Sequence, residues 1–283
     1  MASLTKDGKH LCCLSVITAS WLLTAGHCTI DPYADDFRTE PTDFIVVAGS
    51  TLLTFDTAGG CVEDEVRRDV NRLVWHPDFE IVRLLNDLAM VRISRPLPYS
   101  DQIQPASLPA GPLNTRNDLP NGQYCSVAGW GSSTPRGGME TGRGPISALC
   151  KKSVDVHKVS VLHEVKLPIL STNECTKKYP WANSWLKEEE HICTLSGEGK
   201  DACNGDSGGP LLCNGAMVGL VSWGLGCANL TNPTVYTRID HHLKWILDTT
   251  TSRMTNEASR LQTATMVITL AHFVMALTCI CHA

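Results

Sequence analysis

The stretch Asp201-Ala202-Cys203-Asn204-Gly205-Asp206-Ser207-Gly208-Gly209-Pro210 constrains this chain more than any other. A serine set among small residues is a candidate nucleophile. Neutral serine attacks poorly, so it needs a base beside it and N–H donors where the carbonyl oxygen under attack becomes negative. The glycines leave room for both. Gly205 and Ser207 can aim backbone N–H groups at one oxyanion, while Gly208 and Gly209 allow a tight turn beneath it. Taken alone, the run also reads as a plain turn. As a site, it requires a fold that brings a base in from elsewhere in the chain.

Two other stretches supply partners. Thr24-Ala25-Gly26-His27-Cys28 follows the apolar run from Leu11 to Leu23, and Asn86-Asp87-Leu88-Ala89-Met90-Val91 opens another. Histidine titrates near neutrality and can accept the serine proton, and a buried aspartate can fix its tautomer and stabilise the imidazolium. With these stretches, Gly129-Trp130-Gly131 and Ser222-Trp223-Gly224, the chain resembles the trypsin-like serine proteases of the chymotrypsin superfamily. The order His, Asp, Ser along the chain is that family's order. The resemblance implies His27 as general base and acid, Asp87 as its orienting group, Ser207 as nucleophile, and Gly205 and Ser207 N–H groups as the oxyanion hole. No cofactor is implied.

With 283 residues and 43% hydrophobic composition, the chain can bury a sizeable core. Its net charge of -5 is scattered without a basic stripe, which argues against nucleic acid as a partner. Thirteen cysteines, without paired Cys-x-x-Cys clusters, point to an oxidising compartment and away from zinc. The resemblance implies four disulfides: Cys12 with Cys28, Cys125 with Cys213, Cys175 with Cys193, and Cys203 with Cys227. Cys61 and Cys150 lie in loops and form a candidate fifth bridge. Cys13 stands where the family usually has glycine and reads as a free or mispairing thiol.

The resemblance covers residues 1–248 and implies an all-β fold: two packed six-stranded antiparallel Greek-key barrels, at about 1–95 and about 121–238. A C-terminal helix at about 239–248 follows, where Ile239, Leu243, Ile246 and Leu247 have helical spacing; His241 and His242 are expected to be exposed on it. The runs 44–48, 70–75 and 88–93 read as strands, and the proline-rich segment 94–124 as the link between barrels. Glu63, Asp64 and Glu65 cluster where calcium-binding relatives carry their loop, but they read as surface charge, so no metal is expected. Residues 132–158 form a longer segment than relatives have and read as a mobile, protease-sensitive loop, with His157 and His163 as surface residues.

Family members are made as precursors, and cleavage frees an Ile-Val-Gly-Gly-like amino terminus whose ammonium group pairs with the aspartate beside the nucleophile. That aspartate is Asp206 here. Neither such a stretch nor a secretory signal precedes Met1, so the chain reads as a truncated gene model, an alternative start or a non-activatable isoform. The first barrel is accordingly expected to be N-terminally incomplete, Asp206 unpaired, and the oxyanion loop relaxed.

Asp201, six residues before Ser207, occupies the family's position at the floor of the pocket for the acyl-side residue, where a carboxylate favours Arg or Lys. Ser222, Trp223 and Gly224 form one wall and offer backbone hydrogen bonds to an extended substrate. The opposite wall carries Thr234 where the family usually has glycine, which narrows the slot and leaves the preference for Arg and Lys weak. Asn229-Leu230-Thr231 is a glycosylation sequon at the pocket mouth. Residues 249–263 read as a polar linker. In the hydrophobic tail 264–283, Ala264 to Ile280 carries no formal charge and reads as a removable lipid-anchor signal, a membrane span, or an apolar tail on a soluble domain.

The sequence thus points to a serine endopeptidase acting on proteins or peptides. It would sit at the cell surface or be secreted, attach to the membrane through its tail, and meet serpin or Kunitz-type inhibitors. The competing reading is a catalytically silent binding protein on the same scaffold, suggested by the absent activating terminus and by Thr234.

Overall fold

The computed structural model describes residues 1–31, 39–54, 65–114, 117–132, 159–197, 199–228 and 231–251. Short apolar runs broken by turns form the strands. β1 (Ala2–Lys6) turns back into β2 (Lys9–Val16) through Asp7 and Gly8, both at positive φ, as a two-residue hairpin with right-handed strand twist demands. β3 (Trp21–Thr24), β4 (Phe44–Ala48), β5 (Leu52–Thr54), β6 (Val66–Trp75) and β7 (Ala89–Ile93) follow. The closed order is β1-β2-β3-β7-β6-β4.

The first barrel is therefore complete, which corrects the expectation from sequence. Ala2 pairs with Leu14 on one side and Ala48 on the other, so β1 alone joins both edges. Six strands suffice for closure, and the first of them needs no residue before Ala2.

The second barrel uses β8 (Tyr124–Gly129), β10 (His163–Leu170), β11 (His191–Thr194), β12 (Pro210–Cys213), β13 (Ala216–Trp223) and β14 (Thr234–Arg238), in the order β10-β11-β14-β13-β12-β8. Between β8 and β10, β9 (Val159–Val161) pairs antiparallel with β5 in a separate two-stranded sheet. Among the described residues of 94–123 there is no strand or helix, as the prolines dictate. Helix α1 (Thr172–Lys178) starts on Ser171, whose hydroxyl accepts the Glu174 N–H and donates to the Glu174 carboxylate.

Helix α2 (Ile239–Thr251) continues three residues past the end expected at 248. Its last threonines return their hydroxyls to carbonyls one turn back, such as Thr249 to Trp245 and Thr251 to Leu247, so a polar composition there does not end the helix. Ile239 and Ile246 of α2, with Met217 and Leu220 of β13, share one apolar core with the first barrel. That shared core locks the two barrels together, and the cleft between them holds the site.

All four expected disulfides are present. Cys13 is buried and unpaired. It packs with Val47, Leu53 and Trp130, and burial pushes its thiol far above the ordinary range. Cys61, Cys150, Asn229, Glu63, Asp64, His157 and the tail beyond 251 lie outside the described residues. No helix among the described residues is long and apolar enough to cross a membrane.

Candidate active site

Asp87 follows Asn86, which takes a left-handed φ that asparagine tolerates, and it is wholly buried. Its carboxylate meets only donors. Oδ1 accepts the His27 backbone N–H at 2.9 Å, and Oδ2 accepts His27 Nδ1 at 2.8 Å and the Ser222 hydroxyl at 2.5 Å. Because an ionised carboxylate cannot donate, Nδ1 must carry the proton, and the lone pair of the neutral imidazole lies on Nε2. Burial alone would lower the His27 pKa, but the Asp87 charge and hydrogen bond outweigh it and hold it above the ordinary value.

Ser207 lines a cleft with Ser222, whose hydroxyl bonds Asp87. Gly208 sits at φ +75° with the chain so close that a Cβ would lie 2.2 Å from Thr24 Oγ1 and 2.4 Å from Cys13 O. No other residue fits there. The Cys13 N–H donates to Ser207 O at 2.8 Å and the Gly208 N–H to Val221 O at 2.8 Å, fixing the Ser207 turn against β2 and β13. No hydrogen bond joins Ser207 Oγ to His27; Nε2 lies 3.8 Å from Cys28 Sγ.

The Gly205 and Ser207 N–H groups are oriented by their neighbours. Asn204 O accepts the Ser132 N–H at 2.8 Å, so the planar Asn204–Gly205 peptide turns the Gly205 N–H the opposite way. Asp206 O likewise accepts the Gly209 N–H at 2.8 Å and turns the Ser207 N–H away from it. Gly205 O is held by His10 Nε2 at 2.8 Å, and His10 Nδ1 bonds Ser3 Oγ at 2.7 Å. His10 and Ser3 escape sequence reasoning because nothing in their spacing couples a strand-edge pair to a loop about two hundred residues away.

Asp206 is buried, and backbone amides hold its carboxylate. Oδ1 accepts the Gly131 N–H at 2.9 Å and Oδ2 the Cys203 N–H at 2.8 Å. A Cβ on Gly129 or Gly131 would strike this carboxylate, which is the physical content of the Gly-Trp-Gly motif. Burial nevertheless keeps the Asp206 pKa above the usual carboxylate value, against the pull of these two amides.

Asp201 is engaged from three sides: Oδ1 accepts the Ala202 N–H at 2.9 Å and the Thr234 hydroxyl at 2.7 Å, and Oδ2 the Ala228 N–H at 2.9 Å. Tyr179 OH donates to Pro233 O at 2.5 Å and sets the position of Thr234. The cleft beside Ser207 is lined also by Ser222, Trp223, Gly224 and Thr234, among others, and Asp201 is not in its wall. Asp201 borders the adjoining cavity instead, with Asp206 and His163. Cys12, His27 and Cys28 gather like metal ligands, but the disulfide removes both sulfurs as thiolates.

A family model described as Trypsin matches residues 1–246. Trypsin II-P29 of Gallus gallus is 30% identical over 245 residues, covering 86% of this chain and 81% of that protein. Transmembrane protease serine 9 of Rattus norvegicus is 31% identical over 256 residues, 88% of this chain but 21% of that longer protein. The solved structure of neuropsin, a serine protease expressed in the limbic system of mouse brain, superposes with a TM-score of 0.67 at 25% identity, covering 88% of this chain and 93% of that one. With two closed antiparallel barrels and a family match across nearly all described residues, the chain belongs to the trypsin family of serine proteases and is a serine endopeptidase.

Proposed function

We propose that this endopeptidase cleaves peptide bonds through Ser207, His27 and Asp87. The observation that carries the reading is the clamp on Asp87, which leaves the lone pair of the His27 ring on Nε2. Ser207 Oγ attacks the carbonyl carbon and gives its proton to Nε2, and the Gly205 and Ser207 N–H groups take up the negative oxygen. His27 then protonates the leaving amine, and water repeats the sequence to free the acid. The attack needs Ser207 Oγ to turn toward His27 as substrate enters, a closing common where catalytic bonds tighten only in the complex.

Asp206 faces the cavity it shares with His163 and Lys200, and an N-terminal ammonium group there is its proposed counter-ion. Four disulfides support a place in the secretory pathway, at the cell surface or outside it, where protein substrates and serpin or Kunitz-type inhibitors are met. Attachment through the tail and a glycan on Asn229 belong to the same proposal.

One observation favours a second reading for the acyl-side residue. The Thr234 hydroxyl occupies Asp201, and the cleft wall carries Thr234 rather than the carboxylate. Short uncharged side chains therefore suit this pocket better than the Arg or Lys that Asp201 alone suggests.

A fluorophosphonate probe tests the assignment, since it labels only an activated serine. The chain should label and Ser207→Ala should not. A folded, disulfide-bonded sample that stays unlabelled would turn the assignment to a binding protein on this scaffold.

A further inference from the structure

His241 and His242 are neighbours on α2, yet they do not share the exposure expected of them. His242 is 3% exposed, and its Nε2 has no hydrogen-bond partner among the described residues. Its ring meets His76 edge-on at 4.8 Å and His241 at 4.9 Å, and the His76 ring lies 4.9 Å from Trp245. Three imidazoles and an indole thus make the contact between α2 and the segment after β6. That segment leads toward the site, because the His76 N–H donates to Leu88 O at 3.0 Å, next to Asp87.

The contact is built for neutral rings. Protonating His242 would add a charge, and possession of both N–H groups, where Nε2 already lacks a partner. On α2, Asp240 is held by Arg238, and Lys244 pairs with Asp248. From the segment after β6 come His76 and Asp78, whose backbone N–H donates to His76 Nδ1 at 3.2 Å. From β11 comes buried His191, its Nδ1 accepting the Lys187 N–H at 3.3 Å, with Glu190 beside it and Asp87 beyond. None of these carboxylates hydrogen-bonds a ring of the cluster.

We propose that this cluster is an acid-release latch: proton uptake by His242 and His76 undocks α2 from the segment after β6 and slackens the stretch that carries Asp87. Burial first, then the neighbouring imidazoles, hold His242 down to about 2. Burial likewise holds His76 down to about 4, against the pull of Asp78. Both rings are neutral when docked and take up protons once released. Docking is therefore at full strength above the ordinary imidazole pKa and weakens as pH falls below it. Between about pH 7.5 and pH 5, each ring shifts the released-to-docked ratio by about thirtyfold. His27 acts with the opposite sign: its raised pKa makes its bond to Asp87 stronger in acid, so acid release of α2 does not come from it.

The test is amide hydrogen exchange of the full chain in a Ser207→Ala background, where self-cleavage cannot mimic release. At pH 5, corrected for intrinsic exchange, protection of 239–251 should fall at least tenfold further than that of β10 and β11. His242→Phe with His76→Gln should abolish the difference. Equal losses across the molecule, or the same α2 loss in the double variant, would overturn the latch. If the double variant does not fold, His76→Gln alone decides, because its half-exposed ring is replaced by a side chain that still accepts the Asp78 N–H. Several-fold less release supports the latch, and unchanged release overturns it.

Discussion

Asp87→Asn is expected to lower kcat by about 10⁴-fold with little change in KM, the size of effect seen when such an orienting carboxylate becomes an amide. The geometry gives the reason. Every group around Asp87 is a donor, and the His27 backbone N–H on Oδ1 is fixed, so the new amide NH2 is forced toward the Oδ2 side. There it must face Nδ1, which can accept its hydrogen only by giving up its own proton to Nε2. The ring is then neutral but in the wrong tautomer, with no lone pair for the Ser207 proton. Ser222 offers no relief, since its hydroxyl simply rotates to suit.

The same substitution moves the acid limb of the pH profile. In the parent, His27 must be neutral to act as base, so activity rises with pH through a pKa held above the usual imidazole value by Asp87. Without that charge, burial remains as the leading influence and depresses the pKa, so the residual activity should extend to lower pH. The linked stability has its own sign. The raised pKa contributes stability that is present in acid and lost as pH rises through the folded value. Steady-state rates across this range check both parts. Retention of more than a tenth of kcat, or an unmoved acid limb, would remove Asp87 from the proposed role.

How much of this was legible beforehand depends on whether a residue speaks through its own neighbours or through another strand. Ser207, His27 and Asp87 announce themselves by flanking residues, and the structure joins Asp87 to His27 and to Ser222, which lines one cleft with Ser207. Strands were legible as short apolar runs, while their closure into two barrels and the four disulfides followed from the family resemblance. What stayed hidden is set by register. Ser3 and His10 meet across the bulged β1–β2 hairpin, and only then does His10 reach Gly205 O. Closure of the first barrel by β1 was hidden for the same reason, since one strand had to be seen pairing on both edges. The hold on Asp206 was hidden too, because it comes from backbone amides, which no side-chain pattern displays. His242 looked exposed because a polar residue on a terminal helix usually is; its burial depends on what α2 lies against.

Thr234→Gly should convert the acyl-side preference. In the parent, the hydroxyl holds Asp201 Oδ1 at 2.7 Å and stands at the cleft wall, so an arriving guanidinium meets a methyl-bearing side chain and a carboxylate already occupied. A hydrogen bond to a charged group contributes about 1.5–3 kcal/mol, and removing it returns an acceptor to the pocket just as the steric block disappears. Cleavage after Arg or Lys should then gain about 100-fold in kcat/KM relative to cleavage after Ala, ~2.7 kcal/mol of transition-state discrimination. Two further variants separate the causes. Thr234→Ser keeps the hydroxyl and should keep the parent preference, whereas Thr234→Ala frees the carboxylate but leaves some bulk and should fall between. Glycine in β14 costs about 0.5–1 kcal/mol of backbone freedom, so melting temperature is measured alongside. If all three variants cleave after Arg as poorly as the parent, the block does not lie at Thr234, and the exclusion of basic residues must come from the amides that hold Asp201.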